Sequence, residues 1–144
     1  MSTKVRDAMT PGVQVASPSQ TLVDAAALMR ENDVGSLPVV QEGQLVGMLT
    51  DRDIVVRIVA EGADPRKVSV GDVASREIVT IGPDDELDEA LRLMGAHRVR
   101  RLPVVEGGSI VGVLAQADVA IDASDRKSGA LLEEISQPSS TERD

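Results

Sequence analysis

The chain contains no cysteine, no phenylalanine, no tyrosine and no tryptophan, and a single histidine among its 144 residues. Each absence removes a class of chemistry. Without cysteine there are no disulfides, no thiolate nucleophile and no Cys-based metal site, and the redox compartment stays undetermined. One histidine excludes metal centres built on several. Without aromatic rings, any flat ligand must lie between aliphatic side chains, and the bases of a nucleic acid find nothing to stack on. A net charge of -9 and a pI of about 4.6 also repel a phosphate backbone, so nucleic acid is not an expected partner. No apolar run is long enough to span a bilayer, and "MSTKVRDAMTPG" at the start lacks the apolar core of a signal peptide. A cytoplasmic protein with no membrane partner is therefore expected.

What is present is repetition. At 15.2 kDa and 42% hydrophobic residues the chain suits one domain, or two small units that share a core. Sliding it over itself by about 65 positions aligns two halves without a gap. "VGSLPVVQEGQLVGMLTDRDI" (34–54) falls on "VRRLPVVEGGSIVGVLAQADV" (99–119), and Pro18, Leu22, Ala25, Leu28 and Met29 fall on Pro83, Leu87, Ala90, Leu93 and Met94.

Periodicity predicts the elements of each copy. A short β-prone segment, Val13 to Ala16 or Ile78 to Ile81, ends at a Ser-Pro or Gly-Pro stop. An amphipathic helix follows, with Leu22, Ala25, Ala26, Leu28 and Met29 on one face, and Leu87, Ala90, Leu91, Leu93 and Met94 on its counterpart. Asp84, Asp85 and Glu86 stand where carboxylates offset the positive end of the second helix, a better account of them than a metal site. Two strands come next, Leu37 to Val40 and Leu45 to Leu49, then Leu102 to Val105 and Ile110 to Leu114, joined by Gly-containing turns that read as hairpins. A helix closes each copy, from about Asp51 to Glu61 and from about Gln116 onward. The fold class expected is α+β: two β-α-β-β-α repeats related by a pseudo-twofold axis. The first repeat is placed at 1–62, a linker at 63–67 inside "EGADPRK", the second repeat at 68–124, and a helix end with a flexible tail at 125–144.

With the element order, the twin "LPVV" strands and "GMLTDRD" (47–53), the chain resembles a tandem pair of cystathionine β-synthase (CBS) domains, the Bateman module, in its small stand-alone bacterial form. The resemblance runs from about Val5 to Ile121. It implies a regulatory module that binds an adenosine nucleotide such as AMP, ADP or ATP in clefts between the repeats, with S-adenosylmethionine or NAD as alternative ligands and no required cofactor. It also implies a homodimer, a disc of four repeats, and an effector protein that reads the ligation state.

Carried over residue by residue, the resemblance places Thr50 and Asp53 with Ile78, Val79, Thr80, Arg100 and Arg101 in one cleft. The weaker second site gathers Ala115 and Asp118 with Val13, Gln14, Val15, Gly35 and Ser36. The chemistry of the residues supports that inequality. A carboxylate accepts both hydroxyls of a ribose, and arginines grip a phosphate at about 1.5–3 kcal/mol for each charged hydrogen bond. In the second cleft Ala115 stands where the other has Thr50, and Gly35 and Ser36 stand where it has the arginines, so Asp118 could still hold a ribose but little remains for phosphate, and one competent site per chain is expected.

Every one of these residues also has a plainer reading. Thr50-x-x-Asp53 matches a capping box, Asp118 suits a helix start, and Arg98, Arg100 and Arg101 could pair with the surplus carboxylates. His97 reads as a solvated helix end, and Met29 and Met94 as core. An enzyme is not expected: the chain has no G-x-x-x-x-G-K-[ST] loop, no G-x-G-x-x-G and no G-x-S-x-G. The alternative to a sensor is a ligand-free dimerisation or protein-interaction module of the same fold.

Overall fold

Leu22, Ala25 and Met29 recur at helical spacing, and in the computed structural model, which describes residues 3–119, they form the buried stripe of helix α2, Leu22–Asn32. Thr21 caps it, its Oγ1 accepting the Asp24 N–H at 3.1 Å, and the helix ends where Asp33 turns left-handed, φ 52°. Its counterpart α5, Leu87–His97, buries Leu87, Ala90 and Met94 and ends at left-handed Arg98. The stripe is narrower than the spacing predicts, because Ala26 is exposed and Leu28 and Leu91 are only partly covered. The acidic run lies ahead of α5 and not in its first turn. Glu86 is the cap residue, Asp85 accepts the Gly82 N–H at 2.8 Å, and Asp84 pairs with Arg6 at 2.8 Å.

The two hairpins are near copies. Strands β1, Ser36–Gln41, and β2, Gln44–Thr50, pair antiparallel, as do β3, Arg101–Glu106, and β4, Ser109–Ala115, each with a register shift at the equivalent place. The turn residues Glu42 and Gly43 both have positive φ, 52° and 79°, as the tight hairpin turn demands. Glycine supplies this cheaply at Gly107 and Gly108 in the second copy. The predicted strands at Val13 to Ala16 and Ile78 to Ile81 shrink to single parallel bridges, Ala16 to Val39 and Ile81 to Val104. Their Ser-Pro and Gly-Pro stops arrive before a longer ladder can form.

The compact units are not the repeats as they follow one another along the chain. One unit comprises residues 14–78 and the other comprises 3–13 with 79–119, each with its own hydrophobic core. Two short helical turns that periodicity overlooks explain the division. α1, Val5–Ala8, packs with the second hairpin, and α4, Val70–Val73, packs with the first. Thr10 exchanges hydrogen bonds with Val113 at 2.9 and 3.0 Å, and Ser75 does the same with Met48 at 2.9 and 2.8 Å. Each hairpin thus has both edges occupied, by the bridge at Ala16 or Ile81 on one side and by Ser75 or Thr10 on the other, which protects it from edge-to-edge pairing. Surface ion pairs add little. Arg66 beside Asp64, and Arg92 beside Glu89, hold those carboxyls below the usual carboxylate range through side-chain hydrogen bonds, but all four groups face water.

The helix that follows β2 departs from the expected form. α3, Asp51–Ile54, widens over Val55–Val59 into a π-helical turn, with the Ala60 N–H reaching the Val55 carbonyl at 2.9 Å. Arg57 spans this turn and donates from Nη1 to the Val73 carbonyl at the end of α4. Within the expected linker, Pro65–Lys67 forms a 3-10 turn. No helix among the described residues is long and apolar enough to cross a membrane. The expected tail and the second closing helix beyond residue 119 lie outside the described residues.

Gly47 opens "GMLTDRD" because the paired Ser75 strand crosses directly over it: a Cβ at Gly47 would sit 2.8 Å from the Ser75 carbonyl oxygen. Backbone cannot yield as a side-chain tip can. Gly47→Ala is expected to lower unfolding free energy by about 1–3 kcal/mol in urea. Gly95, inside α5 with no atom within 4 Å of its would-be Cβ, should respond in the opposite sense. Gly95→Ala is expected to stabilise by about 0.5–1 kcal/mol.

Candidate functional site

Sheet register decides which candidate residues meet. In the 14–78 unit the first residue of β1, Ser36, pairs with the last of β2, Thr50, and the Asp51 N–H donates to the Gly35 carbonyl at 2.9 Å. Gly35, Ser36, Thr50 and Asp53 therefore share one end of the hairpin, all half-buried. Thr50 and Asp53 form a complete capping box. The Asp53 N–H donates to Thr50 Oγ1 at 3.1 Å, and the Thr50 N–H donates to Asp53 Oδ2 at 2.9 Å. One carboxylate oxygen of Asp53 is thus engaged by its own helix.

The second unit repeats the geometry with different chemistry. Arg101 pairs with Ala115, and the Gln116 N–H donates to the Arg100 carbonyl at 2.7 Å. Arg100, Arg101, Ala115, Gln116 and Asp118 share that end, again half-buried. Ala115 has no hydroxyl to return a bond. Only the Ala115 N–H reaches Asp118 Oδ2, at a long 3.4 Å. The Nε of Arg100 is buried, and Arg100 and Arg101 both take part in further interactions.

The remaining candidates fall around these two ends. Gln14 and Val15 are exposed and Ile78 is half-buried in the 14–78 unit, while Val13 and Val79 are half-buried and Thr80 exposed in the other. Within one unit, then, the arginines stand beside Asp118, and Thr50 and Asp53 stand beside Gly35 and Ser36. Gln116 was missed by motif reading. Its counterpart under the repeat is Asp51, and the alignment itself carried the signal.

Other features play no part in this chemistry. His97 is exposed at the end of α5, and Met29 and Met94 are buried core. An open recess of about 600 Å³ at the start of α5 is walled by Lys4, Asp84, Asp85, Asp88, Glu89 and Arg92. That mostly acidic lining disfavours an anion. Among the described residues no group of three or more His, Asp or Glu side chains is placed to hold a metal ion.

Comparison with known proteins places this geometry in context. The CBS domain family profile matches twice, at residues 5–60 and 70–122. The CBS domain-containing protein YhcV of Bacillus subtilis is 44% identical over 133 residues, 92% of this chain and 94% of its own. The crystal structure of Hypoxic Response Protein I, with two coordinated zinc ions, superposes with a TM-score of 0.77 at 39% identity, covering 83% of this chain and 98% of that one. That of CBSX2 of Arabidopsis thaliana in complex with AMP superposes at 0.74 and 30% identity, covering 85% and 96%.

The capping box makes its own prediction. Thr50→Ala removes the only side-chain acceptor for the Asp53 N–H and is expected to cost about 0.5–2 kcal/mol of stability in chemical denaturation. Thr50→Ser, which keeps the oxygen, should retain most of it.

Proposed function

The chain belongs to the CBS-domain family, and on that premise we propose that it is a non-enzymatic regulatory module that binds an adenosine nucleotide and passes its ligation state to an effector protein. The observation that carries this reading is the half-buried pair Arg100 and Arg101 at the entry to β3, in a chain of net charge -9. Guanidinium groups match a phosphate, and a carboxylate matches the paired hydroxyls of a ribose. The residues proposed for the ligand are Thr50, Asp53, Ile78, Val79, Thr80, Arg100 and Arg101. Asp118, Val13, Gln14, Val15 and Ser36 make up a weaker second site. Aliphatic side chains such as Ile78 and Val79 serve the adenine in the absence of aromatic rings. The AMP complex of CBSX2 supports the same ligand class.

Thermal unfolding tests this directly. A nucleotide present at 100 times its dissociation constant, bound by the folded state alone, adds about 2.7 kcal/mol. AMP, ADP or ATP is expected to raise the midpoint, and the double variant Arg100→Ala/Arg101→Ala to abolish the rise. A melting curve unmoved by millimolar AMP, ADP, ATP, NAD and S-adenosylmethionine would refute the sensor reading.

A second role, self-association, is favoured by a separate observation. Val55, Val56 and Val59 are 56%, 45% and 61% exposed on the wide helical turn, while Ile58 on the same turn is buried. Three adjacent exposed valines form an apolar strip that water solvates poorly, and a second copy of the chain is the occupant we assign to it. Light scattering should give a dimer mass for the native chain and a monomer mass for Val55→Asp/Val59→Asp.

A further inference from the structure

We propose that Met9 is a modification site, a methionine whose oxidation to the sulfoxide by a peroxide loosens the segment 3–10 from the unit that it completes.

Composition narrows the chemistry first. Without cysteine, tyrosine or tryptophan, and with a single histidine, the chain offers an oxidant little besides the thioethers of its five methionines. Met29 and Met94 are 6% and 4% exposed inside the two cores. Met9 and Met48 are half-buried, so among the described residues a water-borne oxidant meets these two first. Of that pair, Met9 packs against the core that holds Val5, Leu102 and Leu114.

The seat of Met9 makes its oxidation matter. A Cβ at Gly112 would lie 2.8 Å from Met9 Sδ, 3.2 Å from its Cγ and 2.9 Å from the Thr10 carbonyl oxygen. The thioether therefore fills the space that a side chain at 112 would take, beside the carbonyl that accepts the Val113 N–H at 3.0 Å. In the 14–78 unit the same crossing is made without sulfur: the Ala74 methyl stands 3.5 Å from the would-be Cβ of Gly47. One copy of the duplicated contact carries an oxidisable group and the other an inert one.

The step is a two-electron oxygen transfer. A lone pair on Sδ attacks one oxygen of hydrogen peroxide, an S–O bond forms as the O–O bond breaks, the sulfur is oxidised, and the second oxygen leaves as water. The product is a polar, tetrahedral sulfur bearing a strong acceptor. Turned inward, that oxygen meets aliphatic core or the Thr10 carbonyl, itself an acceptor, and finds no donor there. Turned outward, it lifts the side chain from Gly112. Either way the neighbouring Thr10–Val113 pair weakens. Little else holds the segment: three backbone bonds of 2.9–3.0 Å from Val5, Arg6 and Thr3 to residues 83–87, the burial of Val5, and the exposed Arg6–Asp84 pair.

Peroxide treatment of the full chain, without nucleotide, tests this. Peptide mass spectrometry is expected to show Met9 gaining oxygen about tenfold faster than Met29 and Met94. As Met9 is converted, the thermal midpoint should fall by about 3–6 °C. Hydrogen exchange across 3–10 and at Val113 should quicken by about tenfold, with the 14–78 unit unchanged. Methionine sulfoxide reductase with dithiothreitol should reverse both changes. Each variant is compared with its own untreated form, so that any cost of the substitution cancels. Met9→Leu should keep its midpoint and protection through the treatment, and Met48→Leu should lose them as the native chain does. Full conversion of Met9 with exchange of 3–10 unaltered overturns the proposal, as does a Met9→Leu chain that loses as much on treatment as the native one, or a Met9 no faster to react than Met94.

Discussion

Everything at the candidate site depends on one close backbone approach made twice: Ser75 lying across Gly47, and Thr10 lying across Gly112. In each case the crossing segment begins the other repeat, so neither hairpin is completed by its own sequence neighbour. The approach is possible only because the crossed residue lacks a Cβ. Two backbone hydrogen bonds per crossing then hold the second strand of the hairpin from its outer side. That strand delivers Thr50 or Ala115 to the helix start. Positions of candidate ligand groups are thus inherited from a glycine several residues upstream, which is why the motif opens with that residue and ends with a carboxylate.

Much of this was legible in the sequence, and the reasons are local. Leu22, Ala25 and Met29 announce α2 through spacing alone, and the Glu42-Gly43 turn announces its hairpin. The capping box could be read from Thr50 and Asp53 because its partners are three residues apart and need no tertiary information. The exchange of α1 and α4 could not be read in that way. Val5 and Val70 are fully buried, yet what buries them lies on the far side of the repeat boundary, and periodicity within a window carries no record of that. The π-helical turn was illegible for a similar reason. "IVVRIV" fits an ordinary helix, and the wide turn over it is joined to α4 by tertiary contacts, Arg57 with the Val73 carbonyl and Ile58 in the core shared with Val70 and Val73.

The pairing of site residues illustrates how far motif correspondence reaches. Thr50, Asp53, Arg100, Arg101 and Asp118 all stand half-buried at hairpin ends. Register is a different kind of information, because it depends on which residue faces which across a turn. Arg101 faces Ala115, and Ser36 faces Thr50. Once those pairs are known, the chemistry of each end can be compared as a set and no longer residue by residue.

Compared as sets, the duplicated ends have diverged in complementary directions. One has kept its hydroxyl and its cap and has no cation at the strand entry. The other has lost the hydroxyl and carries two arginines. A cap and a ligand compete for the same carboxylate oxygens, so a helix start that is fully satisfied internally offers less to a guest. Stability and receptivity therefore pull against each other at a single aspartate. Duplication relieves the conflict: the 14–78 unit keeps the satisfied helix start, while in its twin the carboxylate of Asp118 receives only a long 3.4 Å contact from the Ala115 N–H.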